Sequence, residues 1–158
     1  MKKYYVLLVA FTLLSFNMIS AQFSNKKKDF VKYEGLYDFY YDGSQDKIYL
    51  EVNDLNKEFL YVYSLSSGIG SNDIGLDRGQ LGNEQVVFFK KAGNKLLLVQ
   101  PNLKYRAITD NVLERKSVEQ AFAKSVLFGF PIEEEKNGVY IIDITDFLMQ
   151  DAHGVSER

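Results

Sequence analysis

The sequence predicts an α+β fold, a mainly antiparallel sheet of hairpin-linked strands with one main helix packed on it. Three observations favour this fold: short alternating apolar stretches, turn residues between consecutive stretches, and one stretch with helical spacing. Short turns join antiparallel neighbours, whereas parallel neighbours need a long crossover. Aromatic residues make up 15% of the 158-residue chain, so Phe and Tyr can supply much of the core.

The first half of the chain predicts three strands. Residues 36–41 carry aromatic side chains on both faces, and turn residues follow them at positions 42–44. Residues 47–52 then alternate apolar with polar, so these two stretches predict a hairpin. Residues 59–65 predict a third strand, which ends before a glycine-rich segment at residues 68–82.

A second hairpin follows the glycine-rich segment. Gly93 and Asn94 separate residues 86–91 from residues 96–100. The second of these stretches is apolar on both faces, which predicts a strand in the middle of the sheet.

The main helix is predicted between residues 111 and 128. Asp110, Asn111 or Ser117 can cap its start, and Gly129 and Pro131 indicate its end. Its apolar stripe comprises Val118, Ala121, Phe122, Ser125 and Val126. The remaining chain predicts, in order, a solvated turn of glutamates at residues 133–135, a turn at residues 137–138, a strand at residues 139–144 and a short helix ending near residue 154.

Three segments are expected along the chain. Residues 1–21 have the layout of a secretory signal peptide: a positive start, an uncharged apolar run and small residues before the expected cleavage after Ala21. A membrane anchor is the alternative for an apolar run of this length. Residues 22–32 form a polar leader with a solvated lysine run at residues 26–28, and residues 33–158 form a single domain. We therefore expect an exported protein, in the periplasm, at the cell surface or outside the cell, with no membrane contact after cleavage.

Composition excludes several chemistries. The chain has no cysteine, so it can form neither disulfides nor Cys-ligated metal sites. Its one histidine, His153, cannot supply a zinc site of two or three histidines within one copy of the chain. The formal net charge of −2 argues against nucleic acid as a partner. These counts favour a chain that is not itself an enzyme and that holds no metal or cofactor.

The glycine-rich segment matches none of three known ligand-binding patterns. Gly70 and Gly75 have P-loop spacing, but Leu76 and Asp77 stand where Lys and Ser or Thr are needed. The third glycine of a dinucleotide-binding pattern is replaced by Asp73. The acidic residues also miss the register of a calcium-binding EF-hand loop.

Two interpretations of this segment stay open. One is a set of turn-forming glycines with a local Asp–Arg ion pair. The other is a loop that docks on a partner domain, since glycines allow close backbone approach and an Arg side chain can bind a carboxylate through two hydrogen bonds. The docking residues predicted by this second interpretation are Asn72, Asp73, Asp77 and Arg78.

Other polar residues have structural explanations. His153 is expected at a helix end, where it meets the last carbonyl groups. Asp143 and Asp146 can form a carboxylate pair or cap a short helix, and the cap is favoured. The eleven tyrosines can form a sugar-binding platform or pack in the core, and their positions inside strands favour the core.

Several stretches together resemble a known family. They are residues 33–37 (YEGLY), 59–62 (FLYV), 68–79 (GIGSNDIGLDRG), 99–107 (VQPNLKYRA), 120–130 (QAFAKSVLFGF), 143–148 (DITDFL) and 151–154 (DAHG). They are similar to the N-terminal non-catalytic region, a domain of unknown function, of large secreted bacterial zinc-dependent metalloproteases of metzincin-like type. The similarity extends from about Tyr33 to the end of the chain.

The resemblance implies a partner and a metal outside this chain. In that family a catalytic domain with the motif His-Glu-x-x-His-x-x-Gly-x-x-His follows this region and holds zinc. The motif is absent here, so no catalytic residue is carried over. The chain ends on charged residues 156–158, so we expect a fragment of the parent protein or a truncated homologue.

Three functional expectations follow. The first is a non-catalytic accessory domain of an exported zinc-dependent metalloprotease, whose partner is the downstream peptidase domain of the same protein. The second is a stand-alone exported module that binds glycan or peptide. The third is a structural adaptor that pairs through a sheet edge or an apolar patch.

Overall fold

The computed structural model describes residues 27–68 and 75–154. In these residues eight strands form one antiparallel sheet with the order β1-β2-β3-β8-β7-β6-β5-β4. The strands are β1 (Val31–Tyr33), β2 (Phe39–Asp42), β3 (Lys47–Val52), β4 (Phe59–Tyr61), β5 (Gln85–Ala92), β6 (Lys95–Gln100), β7 (Ser125–Lys136) and β8 (Val139–Asp143). The helices are a 3-10 turn (Lys27–Asp29), α1 (Val112–Ala121) and α2 (Thr145–Leu148). The predicted α+β class with a mainly antiparallel sheet is confirmed.

The chain divides into two compact units. The first contains the described residues up to Asn53 together with Pro131–Thr145, and the second contains Asp54–Phe130 together with residues 146–154. That residues 33–158 form a single domain stays a prediction.

The first unit is built on the predicted β2–β3 hairpin. Asp42 pairs with Lys47 across the turn, and the Asp42 carboxylate accepts hydrogen bonds from the backbone N–H and the hydroxyl of Ser44, at 2.9 and 2.6 Å. Strand β3 continues the sheet by pairing with β8, with Leu50 opposite Ile142. The core of this unit comprises Tyr40, Tyr49, Val52, Tyr140, Ile141 and Ile142.

The expected polar leader is partly structured. The 3-10 turn precedes β1, and the Phe30 ring stacks on Tyr49 at 5.6 Å. The lysine run is not wholly solvated, because Lys27 Nζ lies 2.9 Å from a Glu51 carboxylate oxygen and 4.1 Å from the centre of the Tyr40 ring. This cluster ties the start of the described chain to β2 and β3.

The second unit is built on the predicted β5–β6 hairpin. Ala92 pairs with Lys95 across the two-residue loop, and β6 lies between β5 and β7, as its apolar sequence predicted. Leu96 and Val87 are fully buried. In the same unit, five phenylalanine rings pack on one another: Phe59, Phe89, Phe128, Phe130 and Phe147.

Helix α1 is capped by Asn111, one of the predicted caps. The Asn111 side-chain oxygen accepts a hydrogen bond from the backbone N–H of Leu113 at 2.9 Å. The helix ends at Ala121, and none of its ten residues is buried. The predicted stripe is therefore wrong after Ala121, because Phe122 follows the helix with a non-helical backbone and Ser125 and Val126 belong to strand β7.

Strand β7 is the main difference from the sequence-based expectation. Gly129 and Pro131 were expected to stop a helix and residues 133–135 to form a solvated turn, yet all lie within this strand, and Glu134 is buried. A Cβ atom on Gly129 would lie 3.3 Å from a Leu97 methyl carbon, so glycine fits where β6 passes closely. Pro131 is exposed and lies beside a register shift between Ile132 and Glu134, where a missing backbone donor is tolerated.

The last helix is shorter than expected. Asp143 caps it as predicted, because its carboxylate accepts a hydrogen bond from the backbone N–H of Thr145 at 3.0 Å. Helix α2 ends at Leu148 rather than near Gly154. His153 therefore does not lie at a helix end, contrary to expectation.

Candidate interaction surface

The two arms of the glycine-rich segment are joined by backbone hydrogen bonds. Leu65 N–H donates to the Gln80 carbonyl at 3.0 Å, and Gly79 N–H donates to the Leu65 carbonyl at 2.8 Å. Further down, Gly82 N–H donates to the Tyr63 carbonyl at 2.8 Å. Residues 66–79, called the glycine-rich loop from here on, are thus closed at their base.

Leu76 anchors the second arm of this loop. Its side chain is 1% exposed, although its neighbours in the sequence are exposed. On the first arm, a Cβ atom on Gly68 would lie 2.7 Å from the backbone nitrogen of Arg78. The arms therefore approach too closely for a side chain at Gly68. Leu76 is not among the residues predicted from the sequence, where it is one of several apolar residues among glycines and polar residues.

Asp77 and Arg78 follow this anchor and are exposed. Within the described part of the chain, neither side chain forms a hydrogen bond or an ion pair, so Asp77 and Arg78 do not pair with each other. Asn72 and Asp73, the other two predicted docking residues, lie outside the described residues. That these four residues dock on a partner stays a prediction.

An exposed apolar strip lies at the base of the loop. Leu60 and Val62 are two residues apart in an extended segment, so their side chains point to the same side. Leu81 is bridged to Ser64, the next position on that side. Leu60 is 63% exposed and Leu81 64%. We call Leu60, Val62 and Leu81 the neck strip. The alternation of residues 59–65 predicted a strand but not which side faces solvent.

The opposite side of the same segment is packed with rings. Tyr61 lies 5.6 Å from the Phe147 ring, and Tyr63 meets His153 edge-on at 4.8 Å. Within the described residues, His153 Nε2 is buried without a hydrogen-bond partner. Burial, together with the nearby Tyr63 hydroxyl, raises the pKa of Tyr61. Because these rings pack on one side of the segment, Leu60 and Val62 face outward on the other side. His153 takes part in this packing.

Two ion-pair clusters lie in the first unit. Tyr40 donates a hydrogen bond to Glu51 at 2.6 Å, and burial raises the Tyr40 pKa above its usual value. Burial alone would raise the pKa of Glu51, but Tyr40 and Lys27 hold it below its usual value.

The second cluster joins β3 to β8. Lys47 Nζ lies 2.7 Å from an Asp143 oxygen. Burial alone would raise the pKa of Asp143, but the hydrogen bonds from Lys47 and Thr145 lower it. The Thr145 hydroxyl in turn accepts a hydrogen bond from Ile48 N–H at 3.0 Å. Each cluster joins segments that are neighbours in the fold, so a structural role accounts for both.

Within residues 27–68 and 75–154, no group of three or more His, Asp or Glu side chains is placed to hold a metal ion. In the same two ranges, no helix combines the length and apolar character needed to cross a membrane.

Comparisons with known proteins identify two family segments. Residues 25–68 match a domain of unknown function called DUF5118, and residues 79–158 match one called DUF5117. No curated protein and no solved structure matches the chain. The predicted resemblance to a domain of unknown function is thereby confirmed, with two such domains where one was expected, and the link to metalloproteases stays a prediction. Because the second match covers half of the chain, the protein belongs to the family of the domain of unknown function DUF5117.

Proposed function

We propose that this chain is the non-catalytic accessory region of an exported zinc-dependent metalloprotease and packs on the peptidase domain that follows it. The zinc belongs to that peptidase domain, and this chain contributes neither a metal ligand nor a catalytic residue. The proposal rests on the sequence resemblance described above and on the surface around the glycine-rich loop.

The single observation that carries the proposal is that the neck strip and Arg78 are both exposed on two arms that backbone hydrogen bonds join. Leu60 and Val62 are exposed on one side of a segment whose other side is held by ring packing, and exposed Leu81 lies on the arm that is bridged to this segment. Exposed apolar groups that lie together favour an interaction surface. Arginine is enriched at interfaces, because its guanidinium binds carboxylates through two hydrogen bonds.

The closed base of the loop supports the same role. A surface that is already ordered loses less conformational entropy when it binds than a mobile one. The backbone hydrogen bonds of Leu65 and Gly79 and the buried Leu76 side chain order the arms of the loop in advance. When a domain docks on these arms, less of the binding free energy is therefore spent on ordering them.

The first experiment measures the intact mass of the protein isolated from its natural cells. We expect a mass well above that of 158 residues, with C-terminal peptides that contain the His-Glu-x-x-His motif. We also expect the N-terminus to be Gln22, as cleavage after Ala21 requires. A mass that corresponds to a chain ending at Arg158 would overturn the proposal and favour a stand-alone binding module or an adaptor.

The second experiment tests the surface in that full-length protein. Arg78→Glu is expected to lower peptidase activity and the unfolding temperature of the peptidase domain, because a docking contact becomes repulsive. Lys90→Glu is the matched control, since it reverses an exposed charge on β5 away from the loop. If both variants behave like the unchanged protein, Arg78 does not dock on the peptidase domain.

A further inference from the structure

A groove in the second unit lies beside helix α1, between the helix and residues 101–107. Its volume is about 630 Å³, within the range of small-molecule binding sites. Tyr105 and Phe122 line it with their rings stacked at 4.2 Å and nearly parallel. Tyr105 is 48% exposed and Phe122 39% exposed, so ring surface is available to a ligand.

The groove walls are held in place by local hydrogen bonds. The Asn102 side-chain oxygen accepts from the backbone N–H groups of Lys104 and Tyr105, at 3.1 and 3.3 Å, and so fixes the turn that presents Tyr105. Across the groove, Arg115 donates to the Thr109 carbonyl at 2.7 Å and fixes the start of α1. The aromatic pair is therefore positioned before any ligand arrives.

Charged side chains of both signs line the same groove. They are Arg106, Arg115, Lys124, Glu58 and Glu119. In the described part of the chain, no ion pair joins any of them to another residue. The groove therefore offers charged hydrogen-bond donors and acceptors that do not pair with one another.

This arrangement selects a class of ligand. For an acidic ligand, the attraction of the three cations is offset by repulsion from Glu58 and Glu119, and for a basic ligand the attraction of those carboxylates is offset by the cations. A hydroxyl group both donates and accepts hydrogen bonds, so a neutral polyol can use both signs without such repulsion. The flat apolar face of a sugar ring also suits an exposed aromatic ring.

We infer that the α1 groove binds a neutral oligosaccharide, with Tyr105 and Phe122 as its stacking surface and Glu119 and Arg106 as partners of its hydroxyl groups. The inference does not depend on the proposed docking of a peptidase domain, because the groove and the neck strip share no residue.

The test titrates the purified full chain with neutral hexasaccharides and follows binding by calorimetry. The set comprises cello-, xylo-, manno-, malto- and N-acetylchito-hexaose. We expect saturable binding of at least one of them at millimolar concentration or below. Because the ligand is neutral, its affinity should be the same at low and at high salt.

Matched variants locate the site. Tyr105→Ala is expected to weaken binding about tenfold, as loss of a central aromatic contact does. Tyr33→Ala is the control, because Tyr33 is 46% exposed and stacks on Phe39 at 4.7 Å in the other unit. Glu119→Gln keeps the side-chain shape and should weaken binding severalfold. Circular dichroism checks that each variant is folded.

Three results would overturn the inference. The first is no saturable binding of any hexasaccharide. The second is equal binding by the Tyr105→Ala and Tyr33→Ala variants. The third is tighter binding of a glutamate-rich or lysine-rich peptide, with strong salt dependence, which would identify the groove as a peptide site.

Discussion

Replacing Leu76 with alanine should destabilise the second unit, because it removes the buried anchor of the glycine-rich loop. The side chain is 1% exposed, so the change withdraws apolar carbons from a packed site. Each buried methylene contributes about 0.8 kcal/mol, and Leu and Ala differ by about three such groups. With a small cavity term, we expect a loss of about 3 kcal/mol. That is a large part of the roughly 5–15 kcal/mol that stabilises a domain.

Urea unfolding of the full chain, followed by circular dichroism, measures this loss. A loss of about 3 kcal/mol corresponds to a midpoint about 1–2 M lower in urea. Leu81→Ala is the matched control on the same arm, since Leu81 is 64% exposed and should change stability by less than about 0.5 kcal/mol. Equal midpoints for the two variants would refute the anchoring role of Leu76.

Three further predictions concern single residues. Burial alone would raise the pKa of Asp143, but the hydrogen bonds from Lys47 and Thr145 and the charge of Lys47 together lower it in the folded state. The stabilising contribution of Asp143 is therefore complete above the unfolded pKa of about 3.9 and is lost as the pH falls through the lower folded pKa. Acid titrations of stability should show a shallower loss for Asp143→Asn, and an unchanged slope would contradict this. Asn111→Ala removes the cap of α1 and should cost about 1 kcal/mol, measured as faster amide exchange within the helix; unaltered exchange would argue against the cap. Gly68→Ala brings a Cβ against backbone atoms and should cost about 1–3 kcal/mol in urea unfolding. Gly43→Ala, which meets only ordinary contacts, is its control, and equal midpoints would contradict the close approach.

The hairpins and the helix cap could be predicted because their determinants are local. Gly93 and Asn94 specify a two-residue turn whatever the rest of the chain does, and Asn111 caps the helix through a bond to a residue two positions away. Strand β7 could not be predicted in this way. Gly129 and Pro131 ordinarily end an element, and only the neighbouring strand and a register shift make them acceptable here.

The candidate surfaces were predicted only in part. The exposed positions of Asp77 and Arg78 agree with a polar loop, but the burial of Leu76 depends on contacts that spacing does not reveal. The sequence places Phe122 in the apolar stripe of the helix, and helical spacing alone gives the same pattern for a core face and for an open groove. Which side of a strand or helix is covered depends on tertiary packing.

The order of the strands means that neither family segment can be isolated intact. A cut between residues 68 and 79 follows the family boundary, but it separates β3 from β8, where Tyr49 lies opposite Asp143. The same cut separates β4 from β5, where Phe59 lies opposite Val87. Each fragment would then expose strand edges that normally form hydrogen bonds, and such edges promote aggregation. The two segments are therefore expected to be inherited, expressed and unfolded together.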